Sequence, residues 1–372
     1  MATRFRFLAV VIAVCWPAVA TVADENAEVP VGMVTRDYVD GNRQNWTATG
    51  PRPLRTAIWY PIDEAKTSET IFGGPPDKEV FSPVTVAPGA GLSGHRQRYP
   101  LVVLSHGTGG SAIMMMWLGK HLAAHGYIAA AVNHHGNTAA EKAMEPQGFL
   151  LYWERARDLS LVIDSVLADP LFRDKVDTDS IGAAGFSLGG FTVIELAGGR
   201  FNQRLYDQFC SSKNRDATCE GQLEFPEAPA RFKALAQQDP IVQNSLMHSG
   251  DSYRDARVRA VFAIAPALGG GFSAADLRDV TAPVEIVVGA GDNVAPPKTN
   301  ARRYGKLILG AKAIVLPGNV GHYTFLHECN AHGREVLPIC RDGAGVDRAT
   351  VHKTVQELAL VFFNAKLRVA QR

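Results

Sequence analysis

The run Gly185-Phe186-Ser187-Leu188-Gly189-Gly190 carries the strongest chemical signal in the chain. Serine in Gly-x-Ser-x-Gly suits a nucleophile on a sharp strand-to-helix turn, where larger side chains two residues away would strike neighbouring backbone. A serine hydroxyl is a weak nucleophile at its free pKa, so it needs a base, and the base needs an orienting acid. Asp292, in Gly289-Ala290-Gly291-Asp292-Asn293, and His322, in Pro317-Gly318-Asn319-Val320-Gly321-His322, supply that acid and base. They follow Ser187 in the order acid, then histidine. Glu285 is the rival acid, but it falls inside an apolar run rather than after one.

An oxyanion needs two preorganised backbone donors. The Leu188 amide is one candidate. The other is Thr108, in the turn-forming stretch His106-Gly107-Thr108-Gly109-Gly110. In that stretch His106 reads as a structural hydrogen-bonder. The chemistry such a set could do is acyl transfer through an acyl-serine, on an ester or, with the same residues, an amide. It calls for no metal and no organic cofactor. The plain alternatives are a tight turn at Ser187, a capping role for Asp292 and a loop histidine at His322.

These residues need elements to hold them. Leu54–Tyr60, Pro100–Ser105, Tyr127–Val132, Ile181–Phe186, Val258–Ala265, Val284–Val288 and Ala313–Leu316 are short apolar runs, read as strands. Between them fall helical patterns over about 112–125, 151–168 and 189–197, and a last one over 351–367. Alternating apolar strands and helices imply an α/β fold: a mostly parallel twisted sheet with helices on both faces. Ser187, Asp292 and His322 each follow such a strand, on the edge where open α/β sheets build sites. Residues 24–50 and 63–98 read as loops, the second a long surface excursion. The stretch 200–256 breaks the rhythm and reads as a partly helical, lid-like insertion in a single domain over 24–372. Met114, Trp117 and Trp153 are candidates to line a substrate pocket, though each is placed more readily in the core. His134-His135 reads as a loop pair with no catalytic task.

The formal net charge of +1 and scattered basic residues give no electrostatic reason to expect nucleic acid or an anionic membrane. Arg4 and Arg6 before the apolar run Phe7–Val14, then Pro17-Ala18-Val19-Ala20, read as a secretory signal over 1–23. That run is too short for stable membrane insertion. Cleavage removes Cys15 and leaves Cys210, Cys219, Cys329 and Cys340, an even set consistent with disulfides in a secreted or periplasmic chain. Three connectivities exist, and the short separations favour Cys210–Cys219 and Cys329–Cys340. A metal site on Cys329, His332 and His327 lacks a fourth ligand at suitable spacing.

Taken together, Leu54-Arg55-Thr56-Ala57-Ile58-Trp59-Tyr60-Pro61, the run Tyr99–Gly107, the Gly185–Gly190 turn, Gly289–Pro297 and Gly321-His322 resemble one family. It is the dienelactone-hydrolase-like branch of the α/β-hydrolases, in particular exported bacterial members similar to platelet-activating-factor acetylhydrolases. The resemblance covers about residues 30–330. It implies an α/β-hydrolase fold and a serine esterase acting on a small-molecule, lipid or polymer ester. Two departures narrow it. Dienelactone hydrolases proper use cysteine where this chain has Ser187. Animal platelet-activating-factor acetylhydrolases carry the acid where this chain reads Ala263-Ile264-Ala265-Pro266-Ala267, so Asp292 takes that role.

Overall fold

Strands buried on both faces have no polar side to turn to water, so they pair with one another in the middle of a sheet. In the computed structural model, which describes residues 28–71, 73 and 79–367, ten strands form one sheet. They are β1 (Val31–Gln44), β2 (Pro51–Pro61), β3 (Glu69–Ile71), β4 (Val84–Pro88), β5 (Tyr99–Ser105), β6 (Ile128–Val132), β7 (Val176–Phe186), β8 (Val258–Ile264), β9 (Val284–Gly289) and β10 (Lys312–Leu316). The spatial order is β10-β9-β8-β7-β5-β6-β2-β1-β4-β3. Strands β5 to β10 all run parallel, while β2 joins β6 and β1 in antiparallel pairs.

The helices are α1 (Met116–Ala124), α2 (Pro146–Leu150), α3 (Glu154–Ala168), α4 (Leu188–Leu196), α5 (Gln203–Cys210), α6 (Ala228–Gln238), α7 (Pro240–Met247), α8 (Ala301–Leu307), α9 (Ala331–Val336) and α10 (Arg348–Lys366). Helix α1 packs with α10, and α3 packs with α4, so the sheet is layered by helices. Register does the positioning. Ser105 pairs with Gly185, Gly185 with Ala263, and Leu316 with Gly289, so the C-terminal ends of β5, β7, β8, β9 and β10 line up. The loops that follow them therefore meet along one edge.

Three sequence expectations need correction. Residues 31–44, read as loop, form the longest strand, β1, whose middle alternates half-buried and exposed residues. Such a strand shows one face to solvent, so its apolar content is too low to read without its partner β2. Its fate is set at a distance: Arg36 Nε donates to Asp169 Oδ2 at 2.7 Å, and Tyr38 Oη to the same oxygen at 2.9 Å. Within 63–98, β4 joins the sheet beside β1, and Phe81 is buried against Cys329 and Cys340. The helix expected over 151–168 starts at Glu154, after a separate short helix, α2. The signal segment expected over 1–23 lies outside the described residues.

The stretch 200–256 holds α5, α6 and α7 and connects α4 to β8. Cys210 and Cys219 form a disulfide within it, and Cys329 and Cys340 form a second one near the end of the chain. Three contacts fasten this stretch down, the first two fully buried. Trp153 Nε1 donates to Ser245 Oγ at 3.0 Å, Ser245 Oγ to Glu154 Oε1 at 2.6 Å, and Asn300 Nδ2 to Asp216 Oδ2 at 2.9 Å.

The buried acid Glu195 has no cation paired with it among the described residues. Burial pushes Glu195, on α4, well above the ordinary carboxylate pKa, the Phe201 amide opposing this less strongly. A carboxyl whose folded pKa lies above its unfolded value of 4.5 contributes stability below that pH and loses it as pH rises toward the folded value. Glu195→Gln removes this dependence. Urea unfolding across pH 4–8 is expected to show the wild type losing at least about 1.4 kcal/mol relative to the variant, the equivalent of one pKa unit.

Candidate active site

Strand β7 ends at Phe186 and α4 begins at Leu188, leaving Ser187 on the turn with φ 55° and ψ −118°. A non-glycine residue at positive φ is strained and must be held there by its surroundings. The Ser187 amide donates to Ile264 O at 2.9 Å, and its carbonyl accepts from Phe191 N at 3.1 Å and Ala267 N at 3.2 Å. The flanking glycines are obligatory. A Cβ on Gly185 would lie 2.2 Å from Gly189 O, and one on Gly189 2.0 Å from Ser105 O.

The other two candidates converge on this turn. His322 Nε2 lies 2.8 Å from Ser187 Oγ, and His322 Nδ1 lies 2.7 Å from Asp292 Oδ2. An ionised Asp292 can only accept, so Nδ1 carries the proton and Nε2 presents its lone pair to the serine hydroxyl. Asp292 Oδ1 accepts from the amides of Val294 at 3.0 Å and Ala295 at 2.8 Å, which fixes the carboxylate. Ser187 is 8% exposed, Asp292 4% and His322 3%, so the set is nearly closed to solvent. Glu285 lies within β9, 3.7 Å from Lys312 Nζ, and takes no part.

Leu188 opens α4, so its amide has no acceptor within the helix. Gly107 runs beside the serine: a Cβ there would lie 3.3 Å from Ser187 Cβ. Thr108 follows directly, in a turn closed by Gly110 N to Gly107 O at 3.2 Å. The Gly109 amide, with φ +61°, is occupied by Asn137 Oδ1 at 2.6 Å. His106 Nδ1 donates to Gly107 O at 2.7 Å, and its Nε2 accepts from His134 N at 3.2 Å, so this histidine serves the loop's shape.

A family model described as the alpha/beta hydrolase family matches residues 102–336, more than half of the sequence. The chain belongs to the alpha/beta hydrolase family. It is similar to the platelet-activating factor acetylhydrolase of Bos taurus, 28% identical over 27% of this chain and 32% of the relative. It is also similar to cutinase est2 of Thermobifida alba, 29% identical over 27% of this chain and 31% of the relative. The chain thus spans about a third of the length of the curated relatives it matches. A ferulic acid esterase from Streptomyces cinnamoneus shares the fold, with TM-score 0.57 over 92% of each chain at 21% identity.

This α/β-hydrolase holds a second Ser-His-Asp arrangement that sequence reasoning missed. Ser105 Oγ lies 2.8 Å from His134 Nε2, and His134 Nδ1 lies 3.0 Å from Asp158 Oδ2. All three residues are fully buried, so no substrate reaches Ser105. Burial, then the charge of Arg155, lowers the His134 pKa to about 3, so the ring is neutral. Burial opposes ionisation of Asp158, but Arg52 and Arg43 outweigh it and hold that carboxyl well below its usual range. Arg52 Nε and Nη2 reach Asp158 at 2.8 and 3.0 Å, and Arg43 Nη2 at 2.7 Å. Arg155 donates to the carbonyl of His106. The cluster therefore supports the loop that carries Thr108. Its sequence trace was slight: His134, read as half of a loop pair with no catalytic task, and the charged residues at the start of α3.

The expected pocket residues sit elsewhere. Trp117 stacks on His352 with ring centres 4.2 Å apart, between α1 and α10. Trp153 anchors Ser245, and Met114 packs against Phe81, Cys329 and Cys340. Both tryptophans are buried in the core, and Met114 is half-buried beside it. His135 is likewise structural, bonded to Glu141 at 2.9 Å and accepting from Trp46 N at 3.2 Å.

Removing one partner of a buried ion pair leaves the other charge uncompensated. Asp158→Asn is therefore expected to lower stability by about 3–5 kcal/mol, read from the denaturant midpoint at an unchanged m-value.

Proposed function

We propose that this protein hydrolyses carboxylic esters through an acyl-enzyme on Ser187. As Ser187 Oγ attacks the ester carbonyl, His322 Nε2 takes the hydroxyl proton, then passes it to the leaving alcohol oxygen. Water enters, gives a proton to His322, attacks the acyl carbon and releases the carboxylic acid as Ser187 recovers its proton. Asp292 keeps the imidazole in the Nδ1–H form and stabilises the imidazolium. The amides of Leu188 and Thr108 hold the oxyanion, each worth about 2.7–4 kcal/mol of transition-state stabilisation.

One observation carries this reading: the unbroken chain from Ser187 Oγ through His322 to Asp292, at 2.8 and 2.7 Å. Partial likeness to proteins named as an acetylhydrolase and a cutinase supports acyl-bond cleavage. The segment 200–256 acts as a lid within a single domain, since Glu224 rests on Gly109 of the oxyanion loop. A cavity of about 190 Å³ bordered by the same segment and lined by Phe149, Tyr152, Tyr206 and Phe225 is the candidate for an apolar substrate group. Two disulfides and the signal-like residues 1–23 support export to an oxidising compartment. No described helix is long and apolar enough to cross a membrane.

Wild-type protein is expected to hydrolyse p-nitrophenyl esters and to be labelled by a fluorophosphonate. Ser187→Ala should lose labelling and at least about 10⁴-fold in kcat. Residual turnover near wild type would sink the assignment. The matching p-nitroanilide, assayed in parallel, should turn over far more slowly, and an acyl chain-length series reads the size of the pocket.

A further inference from the structure

We propose that His121, His125 and Glu28 form a divalent-cation site that clips the chain leading into β1 onto the end of α1. One ligand atom from each of the three residues lies within 4.8 Å of the others. The histidines stand one turn apart, at the last turn and C-cap of α1, with ring centres 4.3 Å apart. His125 Nδ1 donates to the carbonyl of His121 at 2.8 Å. That bond fixes both tautomer and ring orientation and leaves Nε2 with its lone pair free, the usual outer-shell arrangement of a metal-binding histidine.

His121 makes no ring hydrogen bond among the described residues: Nε2 is buried without a partner, and Nδ1 faces Glu28 Oε1 at 4.0 Å. Glu28 is not there by chance. The adjacent Val29 amide donates to Ala124 O at 2.9 Å, which ties this stretch of chain to the same helix end. A helix C-terminus carries partial negative charge and favours a cation.

Two imidazoles and a carboxylate form a donor set for zinc or a similar borderline cation, with water in the fourth position. Bonds of about 2.0–2.2 Å require the three side chains to close inward. The exposed Glu28 side chain is free to do so. Helix α1 starts from the loop after β5 and ends just before β6, so its end lies on the sheet edge opposite Ser187. The site is therefore structural, and its occupancy is read in stability.

Untagged full-length protein, stripped with EDTA and dialysed, is titrated with zinc chloride by calorimetry, and its melting is followed with and without zinc. Expected are saturable one-to-one binding and a melting temperature raised by roughly 5 °C at a hundredfold excess over Kd. Outer-shell partners alone are worth 10–100-fold in affinity, so His125→Ala should weaken binding by at least tenfold. Glu28→Gln, at an exposed position, should weaken it measurably while leaving melting in EDTA unchanged. Absence of binding, or binding unchanged in His125→Ala, overturns the site. Binding that is weakened by His125→Ala but indifferent to Glu28→Gln overturns the clip.

Discussion

Asp158, sealed under the sheet's C-terminal edge, is the charge on which the arrangement of the site depends. It meets Arg43 from β1, Arg52 from β2 and His134 from the loop after β6, and it stands on α3. Around it, Arg43 also holds Glu154 and Asp40, while Arg155 reaches the His106 carbonyl at the end of β5. Arg157 also reaches Glu154, at 3.1 Å from the solvent side, so every acid of the cluster has at least one arginine partner. Burying ions costs several kcal/mol each, so such a cluster adds little stability over well-packed apolar side chains. What it does impose is register. A slip of any of these elements would strand a charge in a place that water cannot reach.

The two Ser-His-Asp sets show how little residue identity decides by itself. Both run hydroxyl to imidazole to carboxylate with similar distances. Ser105 ends a regular strand at zero exposure, with the carbonyl of Ser105 pressed against Gly189. Ser187 instead projects from a strained turn at φ 55°, beside a helix N-terminus and a glycine-lined loop. Access and nearby donors for a developing oxyanion separate the two. In the buried set, the same hydrogen-bond chain serves as a brace for the neighbouring loop.

The helical insertion is joined to both systems. Ser245 shares Glu154 with Arg43, and Asp216 binds Thr299 and Asn300, a few residues beyond Asp292. With both ends fastened, the insertion has little freedom to swing away as a rigid body. The stretch between Cys219 and Ala228 differs. Its backbone bonds include local turns such as Phe225 to Gln222, and Gly221, Leu223 and Glu224 are exposed. This exposed stretch is also the part of the insertion that meets the glycine loop, where Glu224 lies against Gly109.

Most of what the sequence reveals about this molecule comes from features whose cause is local. Gly185 and Gly189 are readable because a Cβ at either would overlap backbone, and Asp292 and His322 because each follows an apolar run. Strand β1 was hidden for the opposite reason: its residues alternate, and only pairing with β2 explains them. Trp117 and Trp153 kept a pocket reading beside the core one because bulk and aromaticity serve both, and only contacts with His352 and Ser245 show them packed as core. Asp158 was the least visible of all. A charged residue on a helix is solvated by default, and nothing within α3 announces the arginines waiting on β1 and β2. Long-range electrostatic pairing leaves no period in a sequence, so the residues that brace a site are harder to read than those that compose it.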